Sequence, residues 1–243
     1  LTLNGHVGTV VRWEWSANGI DNWNAIANTT TTLTSAEMGN LTADRWYRVV
    51  VKNGASCSEV TSGAVKITVW AQANAGTISS AQTICHNTQP NNLTLNGHVG
   101  TVVRWEWSAN GIDNWTNIAN TTTTLTSADM GNLTADRWYR VVVKNGASCS
   151  EVTSGAVKIT VWAQANAGTI SSAQTICHNT QPNNLTLNGH VGTVVRWEWS
   201  ANGIDNWNAI ANTTTTLTSA EMGNLTADRW YRVVVKNGAS CSE

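Results

Sequence analysis

The chain has 243 residues, with 14 lysines and arginines against 15 aspartates and glutamates, 14 tryptophans and no phenylalanine. This balance leaves no basic patch to neutralise phosphates, which argues against nucleic acid as a partner. No apolar run approaches the roughly 20 residues that span a bilayer, so we expect no membrane insertion in this segment.

The sequence repeats itself. The segment LTLNGHVGTVVRWEWSANGIDNW begins at Leu1, returns at Leu93 and returns again at Leu185, which gives a period of 92 residues. Units of helical solenoids and propeller blades run about 20–50 residues. A unit near 90 residues can instead close a hydrophobic core of its own, as a small sandwich domain does. The period therefore predicts autonomous domains joined in series.

Within each repeat, apolar and polar residues alternate with the period of two that is typical of half-buried strands. Val11, Trp13 and Trp15 fall on one face of the first such strand, and we expect both tryptophans in the core. The polar stretch 28–34 favours an exposed strand. Asn-Gly pairs between the alternating segments supply turns. Several short strands divided by such turns predict a β-sandwich or barrel.

Some tryptophans fall on the strand face opposite to the one predicted to form the core. Trp46 precedes the core residue Tyr47, so Trp46 and its copies Trp138 and Trp230 are candidate exposed contact residues that could stack on sugar rings. Trp70 and its copy Trp162 stand at the end of the last strand pattern, beside a small polar stretch. We expect these two to pack between neighbouring domains.

That small polar stretch, residues 71–75, is the best linker. It divides the chain into a partial repeat at 1–73 that lacks its N-terminal strands, a complete repeat at 74–165, and a partial repeat at 166–243 that lacks its last strand. An incomplete sandwich leaves backbone groups unpaired. We therefore expect the natural polymer to continue at both ends.

Cysteines recur in pairs, which in small β domains indicates disulfides and an oxidising compartment. Their spacing lacks the paired CxxC ligands of a zinc site. The domain frame pairs Cys85 with Cys149 and Cys177 with Cys241, and leaves Cys57 with a partner before residue 1. Each bond would stabilise its domain by on the order of 4 kcal/mol. The alternative joins Cys57 to Cys85 and Cys149 to Cys177 across the linkers.

No constellation of catalytic residues is visible. His6 and His86 stand outside any metal-binding motif, and no GxSxG elbow is present. We therefore predict no enzyme activity, no cofactor and no metal site. Carboxylates are scattered singly, although an interdomain calcium ion stays an open alternative.

Several motifs together point to a family. Trp105, Tyr139 with Asp136 before it, and the flanking cysteines look like an immunoglobulin-like domain. The segments GTISSAQTIC, NIANTTTTLT and WYRVVVKNGASCSE resemble the tandem repeats of giant surface adhesins of gliding Bacteroidota. One departure from antibody domains is that Val141 stands where they carry the second cysteine.

The resemblance implies an all-β fold of tandem immunoglobulin-like β-sandwich domains that form an extended rod. It also implies an extracellular location on the cell surface, export by type IX secretion, and anchoring in the outer membrane through regions outside this chain. The predicted function is a structural stalk in surface attachment or gliding motility. Its partners are neighbouring repeats, with a surface polysaccharide or other substratum as a further candidate. A glycan-binding module and a subunit of a self-assembling extracellular fibre are the alternatives.

Overall fold

The structure is a computed structural model that describes residues 1–239 and 241. By internal contacts the chain forms two compact units. The first holds residues 1–74, 99–101 and 143–152, and the second holds residues 75–98, 102–142 and 153–243. The first unit thus contains the first repeat together with one tip of the middle repeat.

The middle repeat has the fullest set of strands in the described part of the chain. Its elements are β6 (Thr77–Ile78), β7 (Gln82–Cys85), β8 (Leu93–Asn96), β9 (Thr101–Ser108), β10 (Thr116–Ile118), β11 (Thr124–Leu125), α2 (Ser127–Met130), β12 (Arg137–Lys144), β13 (Glu151–Thr153) and β14 (Val157–Trp162).

The first and last repeats carry copies of the same elements. In the first repeat they are β1 (Thr9–Ser16), β2 (Asn24–Ile26), α1 (Ser35–Met38), β3 (Arg45–Lys52), β4 (Val60–Thr61) and β5 (Val65–Ile67). In the last repeat they are β15 (Thr169–Ile170), β16 (Leu185–Asn188), β17 (Thr193–Ser200), β18 (Asn208–Ile210), β19 (Thr216–Leu217), α3 (Ser219–Met222) and β20 (Trp230–Lys236).

Two sheets make up the middle repeat. One has the order β11-β8-β6, and the other has the order β10-β9-β12-β14-β7 with β13 beside β12. These orders match the A-B-E and C-F-G sheets of an immunoglobulin domain. The leading strand divides between the sheets, because β6 pairs with β8 while β7 pairs in parallel with β14. The predicted fold class, tandem immunoglobulin-like β-sandwiches, is confirmed.

The core of the middle repeat lies between its two sheets, where apolar side chains of both meet. In the middle repeat Leu93 and Leu125 from one sheet, and Trp105, Tyr139 and Ile159 from the other, are fully buried. Burying a large aromatic or aliphatic side chain contributes about 1.5–3 kcal/mol. The last repeat builds the equivalent cluster around Leu187, Trp197 and Leu217.

A β-bulge changes which residues of the first strand face inward. Val10 pairs with Val51 but Arg12 pairs with Val50, so Val11 is an extra residue. As a result Val10 is buried and Val11 is not, contrary to the simple alternation. Trp13 lies in the core as predicted. Trp15 is only partly buried at the edge of the same cluster.

The polar stretch 28–34 forms less strand than predicted. In the first repeat it contributes a single bridge from Thr32 to Thr2, and the chain then enters α1. Thr34 caps this short helix, since its hydroxyl accepts from the Glu37 backbone N–H and the Glu37 carboxylate accepts from the Thr34 backbone N–H. Such capping boxes satisfy two of the free N–H groups at a helix start, so the threonine run serves the helix as well as the sheet.

Candidate functional site at the repeat junctions

The tryptophans predicted to be exposed are mostly covered by their own repeat. The Lys66 ammonium lies 4.8 Å from the centre of the Trp46 ring, and Lys158 lies 4.9 Å from that of Trp138. Gly19 closes over Trp46 so tightly that a methyl group there would come within 2.6 Å of the ring. Both tryptophans are half-buried, whereas Trp230 is 46% exposed.

A ladder of charges and rings crosses the outer face of the first repeat's large sheet. Glu14 accepts hydrogen bonds from Arg12 and Arg48, each at 2.7 Å, and Arg12 also binds Glu59 at 2.8 Å. The Arg48 guanidinium lies 4.0 Å from the centre of the Trp23 ring. We call these five residues the outer ladder. Sequence alternation predicts the face on which they lie but not which strands lie side by side.

Glu14 is the buried centre of the outer ladder, with 7% of its side chain exposed. Burial alone would raise its pKa, but hydrogen bonds from Arg48 and Arg12 hold the pKa below the ordinary value. The same pair of opposing causes lowers the pKa of Glu106 in the middle repeat, through Arg140 and Arg104. The outer ladder is a structural ion network in which the buried carboxylate is paired with two arginines and one guanidinium packs on a tryptophan ring.

Trp70 and Trp162 both lie against the tip of the next repeat. A methyl group built on Gly146 would approach the Trp70 indole to 2.6 Å, and one built on Gly238 would approach Trp162 to 2.7 Å. Both glycines have a φ of +91°, a conformation that glycine adopts at little cost. Glycine is therefore required at both positions for two reasons: the positive φ of the turn, and the tryptophan ring that leaves no room for a side chain.

Side-chain hydrogen bonds fix the same two linkers. Asn145 donates from its amide to the carbonyl of Ala71 at 2.9 Å, and Asn237 donates to the carbonyl of Ala163 at 2.8 Å. The sequence pattern predicts these asparagines only as turn residues. The Asn-Gly pair thus forms a turn and also contacts the preceding repeat, the asparagine at the linker carbonyl and the glycine at the tryptophan ring.

The far end of each linker is tied to the repeat that follows. Asn74 and Val99 exchange two backbone hydrogen bonds of 3.1 and 2.8 Å, and Asn166 and Val191 exchange two of 3.2 and 2.8 Å. We define a junction as the linker, the tryptophan before it and the Asn-Gly tip above it. The two junctions in the chain, at 70–74 with 145–146 and at 162–166 with 237–238, have the same contacts.

The disulfide joins Cys85 to Cys241, with Cα atoms 5.5 Å apart. Cys57, Cys149 and Cys177 carry free thiols. The structure therefore corrects both predicted pairs, Cys85 with Cys149 and Cys177 with Cys241, and it contains neither bond of the alternative pairing.

Strand register explains why Cys85 does not reach Cys149. Cys85 pairs with Trp162, beyond the level of Arg137 at the start of β12, because Arg137 pairs with Ile159. Cys149 follows the turn at the other end of β12. An eight-residue strand is about 26 Å long, and a disulfide tolerates no more than about 7 Å between Cα atoms. Trp162 places Cys85 beside the tip of the last repeat instead, where Cys241 lies.

The last repeat also contains a groove of about 660 Å³. Its lining includes Ile176 and Cys177 on one side and Trp230 and Tyr231 on the other. In the middle repeat, β14 occupies the equivalent position between β7 and β12. The groove therefore lies between the same two walls that flank β14 in the middle repeat.

Among residues 1–239 and 241, no group of three histidine, cysteine, aspartate or glutamate side chains is placed to hold a metal ion. Over the same residues, none of the helices has the length and apolar character needed to cross a bilayer.

Comparison with protein families gives three consecutive matches. The model of Domain of unknown function (DUF8696) matches residues 1–71, 74–163 and 166–243. The chain belongs to this family. No curated protein matches the sequence.

Two solved structures show weak similarity to the chain. Sidekick-1 immunoglobulin domains 1–5 share 14% identity with a TM-score of 0.31, covering 96% of this chain and 54% of that one. The chicken CNTN1 FN1–FN3 domains share 11% identity with a TM-score of 0.28, covering 95% and 83%. The chain thus spans about half the length of the Sidekick-1 structure.

Proposed function

We propose that this DUF8696 chain is a stretch of the stalk of a giant cell-surface adhesin, in which each repeat acts as a spacer. The observation that carries the proposal is the identity of the two junctions. Trp70 with Gly146 and Trp162 with Gly238 make the same ring contact. A linker fixed at both ends bends little, so each added repeat extends the stalk by the same step.

The state of the predicted sugar-contact residues favours a spacer over a glycan-binding module. A sugar ring stacks on an open aromatic face. Lys66 and Gly19 already contact the Trp46 ring, and Lys158 and Gly111 contact the Trp138 ring. These rings contribute to packing within their own repeat.

Two further observations support an extracellular setting. Disulfides persist in oxidising compartments, and Cys85 and Cys241 form one. The repeat sequence resembles the adhesins of gliding Bacteroidota, which supports export by type IX secretion, outer-membrane anchoring elsewhere in the polypeptide, and a role in surface attachment or gliding.

Small-angle X-ray scattering tests the spacer function. The chain is compared with versions lengthened by one and by two further 92-residue periods, each period copying residues 152–243 after Glu243. A stalk predicts a maximum dimension that grows by a constant step of about 35–45 Å per period, from strands of about seven residues and their end loops. A maximum dimension that levels off as periods are added would rule out the spacer.

A further inference from the structure

We propose that each disulfide of this array joins two neighbouring repeats. The strand cysteine of one repeat (Cys85 or its copy Cys177) bonds to the tip cysteine of the repeat that follows (Cys241 or its counterpart there). Cys149 would then bond to the strand cysteine of the preceding repeat, and Cys177 to the tip cysteine of the following repeat. The inference deepens the proposed stalk function, because it requires the repeats to stand in series, and it assigns a covalent partner to thiols that are free in this chain.

The first step is the register of the observed bond. Cys85 and Cys241 are 156 residues apart, which exceeds the separation of Cys85 and Cys149 by one 92-residue period. Counting 156 residues back from Cys57 or Cys149 leads to a position before Leu1. Counting 156 residues forward from Cys177 leads to a position after Glu243. This register allows one disulfide within the chain and leaves three cysteines free. The structure contains that number of each.

The second step is the equivalence of the two tips. Cys149 follows Gly146 by three residues, and its backbone N–H donates to the Gly146 carbonyl at 3.2 Å. Cys241 makes the same bond to Gly238 at 3.3 Å. Each glycine receives the tryptophan of the preceding repeat. Cys149 is therefore held in the turn that presents Cys241 to its partner.

The third step is the strand that presents the other thiol. Trp162 pairs with Cys85 in the parallel ladder, so the tryptophan that contacts Gly238 also sets the height of the cysteine that bonds to Cys241. Cys177 is the sequence copy of Cys85, and it is exposed. A following β14-like strand beside it would bring its thiol to the next tip.

The chemistry is an oxidation of two thiols. A small disulfide such as oxidised glutathione supplies the oxidising equivalents. A thiolate attacks it, one glutathione thiol leaves, and the second protein thiolate then displaces the other glutathione. One S–S bond forms in the protein, one is broken in glutathione, and two protons end on two glutathione thiols.

The test uses the chain lengthened by one period, a copy of residues 152–243 joined after Glu243, folded in a glutathione redox buffer. Free thiols are alkylated and non-reduced digests are mapped by mass spectrometry. We expect two disulfides, Cys85 to Cys241 and Cys177 to the added tip cysteine, with three alkylated cysteines. Bonds within repeats would instead give three disulfides and one alkylated cysteine.

Single variants make the outcome sharper. Cys177→Ser frees the added tip cysteine and leaves the Cys85–Cys241 bond, whereas Cys241→Ser frees Cys85 and leaves Cys149 alkylated. A digest that links Cys85 to Cys149, or leaves Cys177 alkylated in the lengthened chain, overturns the proposal. The scattering series repeated in dithiothreitol separates the two ideas, since a stalk keeps its constant step when its disulfides are reduced.

Discussion

The Trp162 indole lies against Gly238, a residue of the next repeat, at a distance that leaves no room for a methyl group. Trp70 and Gly146 repeat this relationship one period earlier. The same contact therefore occurs at both junctions, so the repeating sequence preserves the junction as well as the domain.

Replacing Gly146 by alanine should loosen the first junction. The new methyl group meets the Trp70 ring at 2.6 Å, and the φ of +91° is unfavourable for alanine. Backbone conformations of this kind cost about 1–3 kcal/mol. Limited proteolysis should therefore cut faster within residues 71–75. Gly155→Ala is the matched control, since a methyl group at Gly155 meets no atom within 4 Å; equal cutting rates in the two variants would contradict the tight contact.

Glu14 and Glu59 both bind Arg12, yet their removal should have different effects. The Glu14 side chain is 7% exposed and accepts from two arginines, and hydrogen bonds to charged groups contribute about 1.5–3 kcal/mol. Glu59 is 41% exposed, and surface pairs contribute about 0–1 kcal/mol. Hydrogen exchange over Thr9–Ser16 should accelerate clearly in Glu14→Gln and little in Glu59→Gln. The reverse order would contradict a buried network.

The pH dependence of stability follows from the lowered pKa values of Glu14, Glu106 and Glu198. The pKa of a glutamate in an unfolded chain is about 4.3. Because the folded pKa is lower, these carboxylates stabilise the fold above that pH, and the contribution is lost as pH falls through the folded pKa. Urea unfolding midpoints should therefore drop between pH 5 and pH 2, and drop less when all three are replaced by glutamine. Parallel pH profiles for the two proteins would show that other groups govern acid stability.

A peptide with the sequence of residues 154–163 should bind the groove of the last repeat. In the middle repeat this segment forms β14, with Ile159 fully buried between β7 and β12. Strand addition supplies backbone hydrogen bonds, and alternate side chains fill pockets. We expect hydrogen exchange in β20 to slow in a saturable way as the peptide is added. The same peptide with Ile159→Asp is the control, and equal binding of both peptides would exclude a strand-like mode.

Trp138→Ala should lower stability without affecting retention on polysaccharides. The ring packs against Gly111 and beneath Lys158 and is half-buried, so its loss removes part of the about 1.5–3 kcal/mol that full burial of a large side chain contributes. Thermal unfolding and a polysaccharide array measured on the same protein check both parts. Loss of polysaccharide retention at unchanged stability would restore the glycan-binding module.

Much of the fold could be predicted because the strand signals are local. Alternation around Trp13 and Tyr47, together with the Asn-Gly turns, contains the information that two strands and their inward faces require. Alternation alone does not predict the bulge at Val11, because one extra residue is visible only against the partner strand. Trp15 packs against the same cluster as Trp13 but is only partly buried, and alternation predicts the face of a residue without its depth.

The junction was harder to predict. Trp70 and Trp162 stood out by their place beside a linker, but nothing local marks Gly146 or Gly238 as the surfaces that receive them. The disulfide was mispaired because the domain frame assumed that bonds stay within a repeat. Which cysteines meet depends on the parallel register of Cys85 with Trp162, and that register links strands about 80 residues apart in sequence.

The parallel pairing of β7 with β14 has a mechanical consequence. β7 lies near the start of the middle repeat and β14 near its end, and the two run side by side from Gln82 with Ile159 to Cys85 with Trp162. A pull on the two ends of the repeat drags these strands past each other along their length. Their hydrogen bonds are then loaded in shear and must break together, whereas a hairpin pulled open from one end would lose them one at a time.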